Sequence, residues 1–326
     1  MKKLVLGSLN IDCTYQVEDF VRPKETISAL HFERFCGGKG FNQAVALARA
    51  GSETWFAGVL GADGGMLLEA MQRENIHTEL LRRSETPNGH AVIEVNRQGE
   101  NCIIIVAGSN GEVTCEYIDE VLSRFSAGDL IVLQNEVPHV DYAITAARKK
   151  GMVVAFNPSP FNDAIAACRL TDVDFLLINE VEGQGLTGES EPEAMLRVLE
   201  QRCPDTAVVL TLGEKGSVLR SADGSRHACD AVRCKAVDTT AAGDTFTGFF
   251  LTEYLAHGDA GRALRAASTA SSIAVSRKGA SPSIPTAAEG AGGAQPLSAK
   301  PKAASEARRA RRRRAGCAPM PLPCTN

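Results

Sequence analysis

Residues 130–156 read LIVLQNEVPHVDYAITAARKKGMVVAF. Leu130–Leu133 and Val153–Phe156 are short, continuous apolar runs, and Val140–Lys150 between them is an amphipathic, helix-like segment. A strand that is apolar without alternation is buried on both faces, so a strand, a helix and a second such strand in close succession predict a parallel sheet covered on both sides. The same rhythm extends in both directions. Leu4–Leu6, Thr54–Ala57, Phe175–Ile178 and Ala207–Leu212 are further strand-like runs, and Phe41–Ala50, Cys115–Phe125 and Glu193–Arg202 are further helix-like segments. The fold class is therefore α/β. Ligands on such sheets sit beyond the carboxyl ends of the strands.

One region departs from the rhythm. His90–Val95 and Cys102–Val106 flank the turn Asn96-Arg-Gln-Gly99 and predict a β-hairpin, while Tyr15–Phe35 lacks a helical period and offers further strands. Together, residues of about 12–36 and 88–106 are expected to form a small β lid over the main sheet, of the kind that excludes water from a reaction site.

The 326 residues suit one large α/β domain, assigned to residues 1–289. The formal charge of −4 conceals a split: residues 1–288 carry 27 basic and 37 acidic side chains, whereas 289–326 carry eight basic and two. An acidic body with a single Trp argues against a nucleic-acid partner. No apolar run is long enough to span a membrane, and the ten cysteines show no zinc-type spacing, which fits buried or free thiols in a reducing cytoplasm. Residues 290–326, rich in Ala, Gly, Pro and Ser around the Arg308–Arg314 run, are expected to be a disordered tail without a catalytic role.

The strongest chemical signal is Asp238-Thr-Thr-Ala-Ala-Gly-Asp-Thr-Phe-Thr-Gly248. Ala241, Ala242 and Gly243 open a helix with small residues, which leaves backbone N–H groups free to bind an anion. Asp244, in that helix's first turn, would repel a phosphate that was merely bound; beside a phosphoryl group in transfer, it suits a base that takes a proton from an attacking hydroxyl. A second signal is Gly37-Gly-Lys-Gly-Phe-Asn-Gln-Ala44, neither a Walker A loop nor a dinucleotide fingerprint, in which Lys39 and Asn42 can meet hydroxyl groups. Asn10 and Asp12 follow the first strand, Glu136 follows Leu130–Leu133, Asn179 and Glu182 follow Phe175–Ile178, and Thr211-Leu-Gly-Glu-Lys-Gly216 forms a loop suited to a nucleotide.

As an ordered set running from about Lys3 to Pro285, these motifs resemble the PfkB sugar-kinase family, with its ribokinase-like fold. The resemblance implies an ATP-dependent phosphotransferase acting on a sugar, with the 5-hydroxyl of D-ribose as the leading acceptor. It implies that Asn10, Asp12, Gly38, Lys39, Asn42 and Glu136 hold the sugar, that Asp244 is the base, and that Ala241, Ala242 and Gly243 form the anion hole. Asn179 would face the nucleotide phosphates, Glu182 would orient hydrated Mg²⁺, and Thr211, Leu212, Gly213, Gly216 and Ser268 would line the ATP site. Asp238, Thr240, Ala274, Arg277, Gly279 and Ser283 match the family's K⁺ site, and a homodimer through the lid is implied as well. Two positions depart from the pattern. Phe41 replaces a smaller residue, with an expected effect on the sugar pocket, and the family's closing amphipathic helix gives way past Pro285 to the tail. Alternatives are another sugar (deoxyribose, fructose) or a nucleoside as substrate, and a sugar-binding regulator without activity, which the intact Asp244 and anion hole disfavour.

Overall fold

The structure is a computed structural model that describes residues 1–292. Its strands are β1 (Lys3–Leu6), β2 (Asn10–Gln16), β3 (His31–Gly37), β4 (Thr54–Ala57), β5 (Val59–Leu60), β6 (Arg82–Arg83), β7 (Gly89–Val95), β8 (Asn101–Val106), β9 (Leu130–Gln134), β10 (Val153–Asn157), β11 (Phe175–Asn179), β12 (Ala207–Thr211), β13 (Ser217–Arg220) and β14 (Arg226–Cys229). Its α-helices are α1 (Lys39–Arg49), α2 (Gly65–Arg73), α3 (Cys115–Leu122), α4 (Val140–Lys149), α5 (Glu180–Thr187), α6 (Pro192–Arg202), α7 (Ala242–His257), α8 (Ala260–Val275) and α9 (Ala287–Gly292).

Eight strands form the main sheet in the order β14-β13-β12-β11-β10-β9-β1-β4. Pairing is parallel from β4 through to β12, and the β12–β13 and β13–β14 pairings at one edge are antiparallel. Successive side chains of the central strands point to opposite faces, and each face has its own core. Leu4, Leu6, Ile131, Leu133, Val208 and Leu210 pack with residues of α3, α4, α5 and α6. Val5, Leu130, Val132, Ala207 and Val209 pack with residues of α1, α2, α7 and α8 on the other side. This double burial is the reason the strands read as unbroken apolar runs.

A separate four-stranded sheet, ordered β3-β2-β7-β8, is built from the region without helical rhythm. In its β7–β8 turn, Asn96 Oδ1 accepts from the backbone N–H groups of Gln98 (3.0 Å) and Glu100 (2.9 Å). β8 is an edge strand and all six of its residues are exposed.

The eight cysteines among the described residues are free thiols, and no helix among those residues is long and apolar enough to cross a membrane. Past Pro285 the chain does not pass directly into irregular structure: α9 begins at once and runs to Gly292. Thr286 and Glu289 cap it reciprocally, the Thr286 N–H donating to Glu289 Oε2 (2.8 Å) and the Glu289 N–H to Thr286 Oγ1 (3.4 Å), and Arg277 pairs with Glu289 at 2.6 Å. The expected boundary at residue 289 thus falls inside a helix. The expectation of disorder beyond Gly292 lies outside the described residues.

Candidate active site

Because β1, β4 and β9–β12 are parallel, their carboxyl ends share one edge of the sheet. Chain order reverses there: β1 leads outward to β4, whereas β9 through β12 step in the opposite direction. A reversal of this kind leaves a crevice between the diverging connections. Asn10, Glu136, Asn157, Asn179 and Thr211 lie at or just beyond these strand ends.

Two clefts open at this edge. The first, about 660 Å³, is lined by Asn10, Asp12, Gly38, Lys39, Asn42, Glu136 and Asp244, and by Ile93, Ile103 and Ile105 of the smaller sheet. The second, about 680 Å³, is lined by Thr211, Gly213, Gly216, Val232, Ser268 and Ser272 among others. They share Thr211, Gly213, Thr239, Ala242, Gly243 and Phe246, so they meet at the start of α7. A hollow of similar size, about 680 Å³, lies around Lys2, Trp55 and Arg124. Volume does not single out the site; the convergence of buried charge does.

The glycine box brings α1 to the first cleft. Gly38 caps the helix at φ 91°, a conformation that favours glycine. The first amides of α1 are already engaged: Lys39 N–H donates to Glu136 Oε2 (2.8 Å), Gly40 N–H to Ser8 Oγ (3.2 Å) and Phe41 N–H to the Ser8 carbonyl (3.0 Å). Ser8 Oγ in turn donates to Glu136. Glu136 is thereby fixed at the cleft wall. α7 differs in lacking side-chain partners, its Ala242 N–H making a longer contact with the Thr239 carbonyl (3.3 Å). Ala241 turns the chain with φ 60°, no side chain caps the first turn, and Gly243 leaves open space beside its Cα. A helix N-terminus with small residues and no side-chain cap is a ready anion site.

Three carboxylates, Asp12, Glu136 and Asp244, meet in the first cleft around Lys39. Burial, reinforced by the charges of Glu136 and Asp244, pushes the Asp12 carboxyl up to about 7. Gly37 leaves the room that Asp12 occupies, since a Cβ there would collide with the carboxylate. Burial also raises the Glu136 carboxyl, against the opposing pull of the Ser8 hydrogen bond and Lys39. For Lys39, burial works against the charge, but Asp244, Glu136 and Glu182 outweigh it and hold the ammonium above its ordinary value. Asn10 is turned by Asn110, whose Nδ2 donates to Asn10 Oδ1 (2.7 Å), leaving the Asn10 amide donors for the cleft. Asn42 Nδ2 donates to Asp244 Oδ2 (3.3 Å), and Asn42 Oδ1 is a buried acceptor with no hydrogen-bond partner.

Glu182 and Asn179 form a capping box at the start of α5: Glu182 accepts from Asn179 N–H (2.8 Å) and Nδ2 (3.1 Å), and its own N–H donates to Asn179 Oδ1 (2.9 Å). Both line the first cleft near its junction with the second. A carboxylate with both oxygens engaged in this way suits contact with a metal through water rather than direct ligation. Ser268, Thr211, Gly213 and Gly216 line the second cleft, but Leu212 does not; its side chain packs against the core between the sheet and α3–α6.

The remaining expected residues gather beside the clefts, at the carboxyl end of α8. Asp238 accepts from the N–H groups of Thr240 and Gly279, each at 2.9 Å, and its own N–H donates to the Val275 carbonyl (3.1 Å). Burial works against the Asp238 charge, yet the Thr240 and Gly279 donors and Lys278 keep the carboxyl below its usual range. The Ala274 carbonyl accepts from Arg277 N–H (3.0 Å), the Arg277 side chain turns to Glu289, and Ser283 Oγ donates to the Ala280 carbonyl (2.7 Å). The Asp238 carboxylate and these backbone carbonyls are hard oxygens, the ligand type an alkali cation takes, though each already accepts a hydrogen bond.

Phe41, expected to affect the sugar pocket, is buried in the core between α1 and α7 and lines neither cleft, so any effect on the site would pass through packing. Residues that sequence reasoning passed over include Gln43, Asn157, the lid isoleucines and Val232. Gln43 stood inside the glycine box, and Asn157 sits at a strand end like the others; the lid residues carry no local signal.

The pfkB family carbohydrate kinase profile matches residues 2–287, and the chain belongs to that family. It is 34% identical over 295 residues to the ribokinase of Haemophilus influenzae, covering 87% of this chain and 95% of that one. Among solved structures it is similar to the ribokinase of Thermotoga maritima (TM-score 0.80, 33% identity, 89% and 98% of the two chains). It is also similar to the Arabidopsis thaliana ribokinase solved with ribose and ATP (TM-score 0.78, 30% identity, 89% and 97%).

Proposed function

We propose that this chain transfers the γ-phosphoryl group of ATP to the 5-hydroxyl of D-ribose, giving D-ribose 5-phosphate and ADP, with Asp244 as the base. The observation that carries the reading is the position of Asp244: it stands in the first turn of an uncapped helix, where a cleft rich in hydroxyl-binding groups meets a second cleft. Asp12 and Glu136 accept from sugar hydroxyls, Lys39 and the Asn10 amide donate, and the unpartnered Asn42 Oδ1 takes one more hydroxyl. Asp244 removes the proton of the attacking hydroxyl as the oxygen approaches phosphorus. The amides of Ala241, Ala242 and Gly243 hold the charge that spreads over the transferring group.

Asn179 would face the phosphates, and Glu182 would hold hydrated Mg²⁺; bound with the nucleotide, that ion would neutralise phosphate charge. Asp238, with oxygens of Thr240, Ala274, Arg277, Gly279 and Ser283, would hold K⁺, whose field supports the anion hole formed by the adjoining α7. The smaller sheet serves as a lid. Its exposed edge strand, with Ile104 67% accessible, supports a homodimer through that strand, and the free thiols support a cytoplasmic setting.

ADP release measured across D-ribose, 2-deoxyribose, fructose and a nucleoside tests the substrate. D-Ribose should show the highest kcat/KM, because a missing hydroxyl leaves a buried partner unpaired. A leading rate with a nucleoside or fructose would remove ribose. Asp244→Asn should lower kcat by roughly 10²–10⁴-fold while ATP binding persists.

A further inference from the structure

Asp244 is held from behind by a chain of buried amides. Gln43 Nε2 donates to Asp244 Oδ1 (2.9 Å) and to Asn157 Oδ1 (3.2 Å), while Gln43 Oε1 accepts from Gln134 Nε2 (2.7 Å). Gln43 and Gln134 are fully buried. The orientation of every amide follows from one fixed group. The Leu177 carbonyl can only accept, so the Asn157 nitrogen must face it (2.9 Å). Asn157 then presents its oxygen to Gln43, and Gln43 must turn its nitrogen toward both Asn157 and Asp244. That leaves its oxygen for the Gln134 donor. Gly7 completes the arrangement, because a Cβ at that position would collide with the Gln134 side-chain oxygen.

From this geometry we infer that Gln43 is a positioning residue for the reaction: it pins one carboxylate oxygen of Asp244, and Gln134 and Asn157 fix the Gln43 amide so that it always donates. The carboxylate is approached by a second donor, Asn42, at 3.3 Å on Oδ2, so the more closely held oxygen is the one Gln43 takes. Asp244 Oδ2 is thereby kept as the oxygen aimed at the sugar hydroxyl. Gln43 does not line the cleft that takes the sugar, so its effect falls on the turnover step and not on binding. Gln134 acts one bond further out, through Gln43 alone.

The inference rests on Asp244 being the base, and the test separates the two. Asp244→Asn, Gln43→Met and Gln134→Met are compared with the unaltered chain by steady-state kinetics. Sugar and ATP affinities are measured by calorimetry, and folding by circular dichroism. Methionine keeps the volume and removes the donors. Gln43→Met should lower kcat by about 10–100-fold, the scale of a misplaced catalytic group, with both affinities within about threefold. Gln134→Met should lower kcat by less, and the double variant should match Gln43→Met, as expected when one residue acts only through the other. An active Asp244→Asn variant defeats the base assignment and the inference with it. An inactive Asp244→Asn beside a Gln43→Met of unchanged kcat defeats the inference alone, as does a Gln43→Met that loses sugar affinity as much as rate. Should Gln43→Met fold poorly, Gln134→Met decides: a kcat equal to that of the unaltered chain overturns the proposal, and a reduced kcat at unchanged affinities supports it.

Discussion

Sugar affinity should depend on pH through Asp12. Its carboxyl sits at about 7 in the free protein because burial and the neighbouring Glu136 and Asp244 disfavour the charge. The proposed sugar contacts favour the ionised form, which accepts from hydroxyls at both oxygens, whereas the protonated carboxyl gives up part of that capacity to its own O–H. With a midpoint near 7, about nine-tenths of the protein carries that form at pH 8 and about one-tenth at pH 6. The sugar Kd should therefore rise about tenfold as the pH falls from 8 to 6, equivalent to about 1.4 kcal/mol. Glu136, also raised by burial, adds in the same direction. The unliganded protein behaves oppositely. A carboxyl raised on folding means that the folded state holds a proton the unfolded chain has lost, so the Asp12 contribution to stability falls as pH rises from about 4 to 7. The assay is calorimetric titration of D-ribose without nucleotide at constant ionic strength, with the unaltered chain and Asp12→Asn side by side. Asp12→Asn should bind more weakly at pH 8 and lose most of the slope. A sugar Kd that is flat between pH 6 and 8, or an Asp12→Asn variant with the full slope, would refute the reasoning.

Three further outcomes are expected. Activity should be higher with K⁺ than with Na⁺, because the Asp238 carboxylate and nearby carbonyls at the end of α8 adjoin α7; identical rates in K⁺, Na⁺ and a bulky organic cation would contradict this. Gly37→Ala should weaken sugar binding with little effect on ATP binding, since the added methyl meets the Asp12 carboxylate and overpacking costs about 1–3 kcal/mol; equal loss for both substrates would count against the placement of Asp12. A chain truncated after Gly292 should keep its sugar affinity and kcat, because the described residues already supply the full set of charged and amide groups proposed to act in both clefts, and a folded variant with lost activity would show that the tail takes part.

The fold was legible wherever a strand is buried on both faces, because double burial demands unbroken apolar runs. β1, β4 and β9–β12 were all visible in this way. β13 and β14 were not, since Arg220 and the Arg226–Cys229 stretch carry no such pattern, and α8 was hidden in a stretch of Ala and Ser. The local motifs of the candidate site were legible as well. Small residues before Asp244 and glycines before Lys39 reflect local backbone demands that only those residue types meet. Distances between segments were not legible. That Gln43 reaches Asp244 across 201 positions, that Phe41 turns inward, and that Asp12 stands close enough to two carboxylates to be raised to about 7 are decided by how the strands and helices pack. Local sequence sets which backbone conformations and burial patterns are possible, whereas a through-space charge or hydrogen bond exists only once the sheet has brought its partners together.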